Sequence, residues 1–343
     1  YKSFQLFQNR FSTQNNVRFI KAGVGGTPSE LGMIRFDRDV LREGERPDIV
    51  VIEFAVNDEG DETKGVCYES LVRKVLKLPW KPAVVLLFSV FANDWNLQER
   101  LRPVGDLYDL PMVSIRDAVT PQFSLKCGEG RILSKNQFFY DIFHPNNTGH
   151  TIMADCLQYL FERCDAAEPA RVGTFVEGMT EEQILSEKLS GTAVIGADFE
   201  RIFLLDKKNR YVGAKIRAGS FTSTDIELQS VEMDGNLTQT PEFPYNWMYD
   251  GSRPQMSGFE MEITCKSLFL IFKDSGETDV GKANVFVNDV YCMTADPHKN
   301  NWLHCNAVLL FWETESRSHK VRIAVTEEDR NKKFTILGFG YTI

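Results

Sequence analysis

At 343 residues, 43% apolar and 25% charged, the chain has the composition of a globular protein with room for two cores. Its 39 Lys and Arg stand against 48 Asp and Glu, a net charge of -9 with no basic stripe, which argues against nucleic acid and a membrane surface as partners. No apolar run approaches the roughly 20 residues that a bilayer-spanning helix needs, so a helical membrane-spanning protein is excluded.

Tyr1, Phe4, Phe7 and Phe11 recur at helical spacing, so the sequence opens inside an amphipathic helix and a segment upstream of Tyr1 is expected. Val17–Ile20 reads as a short strand that runs into the Gly-rich turn Gly23-Val24-Gly25-Gly26-Thr27, and a helix is predicted over about Leu31–Leu41. Ile49–Phe54 is a nearly continuous β-branched run, the signature of a strand buried on both faces of a parallel sheet. A helix over Leu71–Leu78, a second buried strand Ala83–Phe88, a helix Leu97–Tyr108 and a third strand Met112–Ile115 follow. The last helix of this half runs from about Thr148 to Phe161, with Ile152, Cys156 and Leu160 on one face. Repeated β-α units of this length imply a parallel sheet with right-handed crossovers and helices on both faces.

The composition then changes. Residues 165–190 are polar and read as a linker with one short helix. Beyond residue 191 helical periodicity fades and short strand signals recur at Arg201–Leu205, Tyr211–Ile216, Ser267–Phe272, Ala283–Val287, Val290–Met293, Val308–Trp312, Lys320–Val325 and Thr335–Phe339. Turn residues such as Asn288-Asp289 separate them, which suggests a β-sandwich or jelly roll. The expected division is a parallel α/β domain over 1–164, the linker 165–190 and an all-β domain over 191–343. Seven cysteines, an odd number with no C-x-x-C pair, favour reduced thiols in the cytoplasm over a stapled secreted scaffold.

Three patches in the first half lie where a strand ends, the edge at which parallel α/β sheets gather their chemistry. Gly23–Thr27 lets backbone N–H groups approach a ligand, yet it is also an ordinary tight turn, without the spacing of a dinucleotide fold or the Lys of a P-loop. In Ala55-Val56-Asn57-Asp58, the Asn57 amide is suited to donate to an oxyanion, or to cap a helix. In Asp141-Ile142-Phe143-His144-Pro145, an Asp three residues before a His can hold one ring nitrogen and leave the other as a base, or it can simply brace a loop. His150 reads as a first-turn helix residue, because no third ligand lies at the spacing of a zinc site.

In order and spacing these patches resemble the SGNH, or GDSL-like, hydrolases over roughly residues 1–163. The resemblance implies a three-layer, flavodoxin-like α/β domain. It places Gly26 and Asn57 in an oxyanion hole, with Asp141 and His144 as the acid–base pair. Ala55 departs from the family, which usually has Gly there. The family's nucleophilic Ser sits in a G-D-S-like turn after the first strand. Ser3, Ser12 and Ser29 lie in no such turn, so the nucleophile is assigned to none of them and is expected upstream of Tyr1.

With its jelly-roll half the chain resembles bacterial acetylxylan esterases that carry a carbohydrate-binding-like module. That resemblance implies a carbohydrate O-acetyl esterase acting on acetylated xylan or its oligosaccharides, with no cofactor and no metal. A lipid or small-ester hydrolase and a non-catalytic carbohydrate-binding pseudoenzyme are the alternatives, and association into a homo-oligomer is left open. Trp247, Tyr249, Trp302 and Trp312 are candidates to stack on sugar faces or to pack a core, while His298, His304 and His319 read as structural or surface residues. The segment Ser89–Asn96 is expected beside the site.

Overall fold

The computed structural model describes residues 1–11, 17–42, 44–167, 178–232, 239–252 and 257–343; Ser12 and residues 168–177 of the expected linker lie outside them. The chain forms two compact units. One consists of Tyr1–Ile20 and Val40–Glu200, the other of Lys21–Asp39 and Arg201–Ile343.

In the first unit, β1 (Ile49–Glu53), β2 (Ala83–Phe88) and β3 (Met112–Ser114) lie parallel in the order β1-β2-β3. Ile49 pairs with Ala83, and Phe88 with Ser114. β2 is the middle strand and is buried from Val84 to Phe88, as its apolar run predicts. β1 is different. Ile49 and Val51, on one face of the strand, are 38% and 45% exposed, and among the described residues no strand pairs with the other side of β1. The expected burial on both faces therefore does not hold there. Val17–Ile20 likewise forms no strand, since it has no ladder partner; Phe19 instead stacks on Phe4, with ring centroids 5.4 Å apart.

The helices of this unit are α1 (Lys2–Phe11), α3 (Val66–Leu76), α4 (Gln98–Tyr108), α5 (Ile115–Phe123), α6 (Lys135–Phe138), α7 (Asn147–Ala166) and α8 (Glu181–Ser190), with α2 belonging to the second unit. The apolar stripe of α1 does what its spacing predicts, Phe7 meeting Phe161 of α7 edge-on at 5.0 Å. Val85, Leu87, Ile115, Phe138 and Leu157 belong to one core beneath α7.

Residues 189–200 are held to the first unit by buried polar groups. The fully buried Glu69 of α3 accepts hydrogen bonds from the N–H groups of Val194 (3.0 Å), Ile195 and Gly196 (2.9 Å), and from Tyr108 Oη (2.8 Å). Arg73, one turn on, donates to Tyr108 Oη and to Leu189 O and pairs with Glu200. The first unit therefore runs ten residues beyond the linker end expected at residue 190.

The second unit is built on an eight-stranded antiparallel sheet. Its order is β11-β10-β12-β9-β13-β4, with β5 on β9 and β8 on β13. These strands are β4 (Phe203–Leu205), β5 (Ala214–Arg217), β8 (Trp247–Tyr249), β9 (Phe259–Asp274), β10 (Ala283–Val287), β11 (Val290–Ala295), β12 (His304–Val325) and β13 (Phe334–Thr342); β6 (Ser230–Glu232) and β7 (Gln239–Pro241) pair separately. The alternation along β9 is plain, with Phe259, Met261 and Ile263 buried and Glu260 and Glu262 exposed. Asn288 and Asp289 form the β10–β11 turn at φ 52° and 63°. The two strands expected at Val308–Trp312 and Lys320–Val325 are one strand, β12. Glu313–Ser316 reads as a break in sequence, but the extra residues are absorbed by a register shift between Trp312 and Arg317.

Residues 21–39 were expected with the parallel domain but cluster with this unit. α2 (Ser29–Phe36) seats Ile34 against bare backbone, its Cδ1 2.5 Å from where a Cβ on Gly340 would stand. Arg38 pairs with the buried Glu242, and Gln229 Nε2 donates to Gly25 O at 3.0 Å.

Glu69→Ala leaves three backbone donors and a phenol without their acceptor, and is expected to cost about 3–5 kcal/mol. Urea unfolding and hydrogen exchange at Val194–Gly196 check this. A loss below about 1 kcal/mol with those amides still protected would overturn the clamp.

Candidate active site

The chemistry of the first unit gathers where its strands end. After β1 the chain turns at once, Asn57 and Asp58 donating their N–H groups to Phe54 O at 3.0 Å each. Asn57 therefore lies in a strand-terminal turn. It caps no helix, since α3 begins at Val66 behind Gly65. The turn is braced by Leu97, whose N–H donates to Ala55 O at 2.8 Å, and by Glu53, whose Oε1 accepts from the Ala55 N–H at 3.1 Å. Ser89, the first residue after β2, also bonds the Glu53 carboxyl. Burial pushes that carboxyl up to about 7, against the downward pull of the Ser89 and Ala55 bonds. Glu53 is the titratable residue beneath this turn that the sequence reading passed over. Its signal is an acid closing a β-branched run at a strand end.

Asp141 and His144 come together as their spacing predicts. His144 Nδ1 lies 2.9 Å from Asp141 Oδ2 and 3.1 Å from Oδ1. Oδ1 also accepts the N–H groups of Phe143 and His144 at 2.7 Å each. The His144 bond, helped by these two N–H groups, holds the Asp141 carboxyl below the usual carboxylate range. Nδ1 therefore carries the proton and Nε2 is left as the base. The turn is closed by the Phe139–Pro145 bridge and by the Tyr140 N–H on His144 O at 3.1 Å. It leads straight into α7, whose cap is Asn146: its Oδ1 accepts from Thr148 N–H at 2.9 Å and Gly149 N–H at 3.0 Å. A Cβ on Gly149 would stand 2.3 Å from Phe138 O, so a glycine there lets α7 start directly against this turn.

The loop after β2 lies beside His144, as expected of Ser89–Asn96. Ala92 N–H donates to Ile142 O at 2.9 Å. Phe91 stacks on Trp95 (5.6 Å) and meets Phe143 edge-on (5.1 Å), and Phe143 in turn lies edge-on to His144 (6.2 Å). Tyr140 stacks on His144, its ring centroid 5.5 Å from that of the imidazole and 11° from parallel.

Gly26 belongs to the second unit. Its φ of 70° is left-handed, a Cβ on it would stand 2.8 Å from the Trp302 ring, and its carbonyl accepts from His304 Nε2 at 2.8 Å. Burial pushes the His304 imidazolium down. Of the candidate serines, Ser3 lies in α1, and Ser29 is fully buried in the first turn of α2. Trp247 and Tyr249 are core residues, whereas Trp302 and Trp312 are exposed. His304 and His319 are buried. Among the described residues no group of three or more His, Cys, Asp or Glu side chains is placed to hold a metal ion.

Two solved structures extend over nearly the whole chain. One is a two-domain esterase active on acetylated mannans, with a TM-score of 0.76 and 22% identity over 99% of this chain and 84% of that one. The chain has that two-domain fold. The same esterase co-crystallised with mannopentaose gives a TM-score of 0.74 and 23% identity over the same shares. No protein-family model and no curated protein matches the sequence. The architecture thus combines a unit built on a parallel α/β sheet with a unit built on an antiparallel sheet.

The raised Glu53 carboxyl has a consequence for stability. The folded state favours its neutral form, so its contribution is complete below about 4.5 and is lost as the pH rises to about 7. Glu53→Gln is expected to flatten the change in melting temperature across that window. Parallel curves for the two proteins from pH 4.5 to 7 would contradict it.

Proposed function

We propose that the chain is a carbohydrate O-acetyl esterase working by serine acyl transfer. The Asp141–His144 pair, with Nδ1 held by the carboxylate and Nε2 left as the base, is the observation that carries this reading. The likeness in fold to an esterase active on acetylated mannans supports it.

In this mechanism His144 Nε2 takes the proton of a serine hydroxyl, from a serine that is not assigned to Ser3, Ser12 or Ser29, as the oxygen attacks the acetyl carbonyl carbon. Asp141 keeps its charge and steadies the imidazolium. The Asn57 amide donates to the oxygen that gains charge. As the ester C–O bond breaks, His144 returns its proton to the sugar oxygen, which leaves as the alcohol. Water then repeats the sequence on the acetyl-serine and releases acetate. The reaction needs no cofactor.

The substrate class is an acetylated polysaccharide or oligosaccharide. Sequence resemblance favours xylan, whereas the solved structures of similar fold belong to a mannan-active enzyme. Acetate release from acetylated xylo- and manno-oligosaccharides, set beside p-nitrophenyl acetate and its longer acyl homologues, separates these from each other and from a general small-ester hydrolase. His144→Ala is expected to reduce turnover to background, and retained activity would sink the mechanism. Asn57→Ala is expected to lower kcat by about 10²–10³ without unfolding the protein; an unchanged kcat would remove Asn57 from the oxyanion site.

A further inference from the structure

The turn that carries the acid–base pair shows apolar side chains to water. Tyr140, Ile142 and Phe143 are 68%, 62% and 50% exposed. A cluster of exposed apolar side chains beside polar ones marks an interaction surface. Phe143 joins this cluster to a larger aromatic group. Its ring meets Phe91 edge-on at 5.1 Å, and Phe91, half-buried like Trp95, stacks on Trp95 at 5.6 Å and 19° from parallel. Near-parallel rings at that separation are slid sideways past each other, so neither fully covers the face of the other.

The group is held in place by the protein alone. Phe91 N–H donates to Trp95 O at 3.1 Å, and Asp94 N–H to Phe91 O at 2.9 Å, with Asp94 in the left-handed region at φ 68°. These bonds close the 91–95 loop on itself, and Asn93 Oδ1 adds a third by accepting from Trp95 N–H at 3.2 Å. Ala92 N–H, donating to Ile142 O at 2.9 Å, fastens the loop to the turn that carries Phe143. Asp94 is the one charged residue of the loop, and it is paired with Lys135 at 3.2 Å. The surface is therefore preformed and electrically balanced, which suits a neutral ligand.

We propose that Phe143, Phe91 and Trp95 form a sugar-binding platform on the first unit, which takes the pyranose that carries the ester. The proposal rests on the proposed function in one respect, that His144 returns a proton to the sugar oxygen. That oxygen must then come within hydrogen-bond reach of His144 Nε2. The Phe143 ring lies edge-on to the imidazole at 6.2 Å, so a sugar ring attached to that oxygen is brought beside it. The C–H bonds of a pyranose carry the slight positive charge that an aromatic face attracts, while its hydroxyls stay in water at the rim. A long acyl chain instead gains by leaving water altogether, and a half-exposed Phe143 does not offer that.

The test is an NMR titration of the full chain with xylopentaose and with mannopentaose, both free of acetyl groups. The Trp95 indole N–H resonance is identified by its loss in Trp95→Phe. It is expected to shift with at least one of the two sugars, and Phe143→Ala is expected to weaken that binding about 3–10-fold. Phe143→Tyr keeps a ring and is expected to bind as the parent does. Phe143→Leu gives the same reading as the Ala variant should that variant lose its dispersed spectrum. No shift with either sugar, or an affinity unchanged in the Ala and Leu variants, overturns the platform. In Phe143→Ala, kcat/KM is expected to fall about 3–10-fold on acetylated oligosaccharides and to hold on ethyl acetate, which has no sugar ring. An equal fall on both would make Phe143 a support of His144 only, and a fall that grows with acyl length on p-nitrophenyl esters would make the surface an acyl site; either overturns the proposal. The titration involves no hydrolysis. Binding in a chain that releases no acetate would therefore defeat the esterase reading alone, and hydrolysis with no binding response would defeat the platform alone.

Discussion

The Asp141 carboxylate holds the backbone and the imidazole at once. Two N–H groups, of Phe143 and His144, end on Oδ1, and the His144 ring ends on the same carboxylate through Nδ1. The side chains of both residues are more than 40% exposed, so core packing cannot supply the geometry. Hydrogen bonds supply it. They are charge-assisted and converge on one group, and the turn that carries them is pinned at its base by the Asn146 cap and the glycine start of α7. The tautomer, the orientation of the base and the path of the chain are consequences of a single acceptor.

A second constraint acts at the end of β1. Parallel strands deliver their following loops to one edge of the sheet, and the loops after β1 and β2 are tied there by a backbone bond from Leu97 N–H to Ala55 O. Asn96 Nδ2 closes the β2 loop on itself by donating to Ser89 O at 2.8 Å. Glu53 adds a carboxyl under the turn that carries Asn57, at a place where burial costs the charged form. An acid in that position costs stability once its charged form is required.

What could be read from the sequence follows the range of the contacts that decide each element. Ala83–Phe88 was legible to the residue because a central strand is defined by its own apolar run. Asp141–His144 was legible because three residues of separation suffice for the contact. Asn57 was placed correctly after a strand, but whether it caps a helix depended on α3 starting nine residues further on. Val17–Ile20 failed because a strand needs a ladder partner, and propensity does not provide one; one face of β1 failed because what covers a sheet face is not written in the strand itself. Residues 21–39 could not be assigned to the second unit from their own pattern. Contacts more than 200 residues away in sequence decide it, such as Arg38 with Glu242 and Gln229 with Gly25.

The exposure of the acid–base pair bears on the kind of ester that suits it. In contact with water, the charges of Asp141 and the imidazolium are screened, and each stabilises the transition state less than it would in a dry cleft. A small ester leaves that water in place. A bulky acyl-carbohydrate lying along Phe91, Trp95 and Phe143 would displace it, strengthening the electrostatic contribution of Asp141 at the moment the imidazolium forms. On the proposed reading, the oligosaccharide therefore supplies part of the low dielectric that the exposed turn lacks. Its advantage over a minimal acetyl ester should then appear in kcat as well as in KM, because the binding energy of the sugar is spent where charge develops.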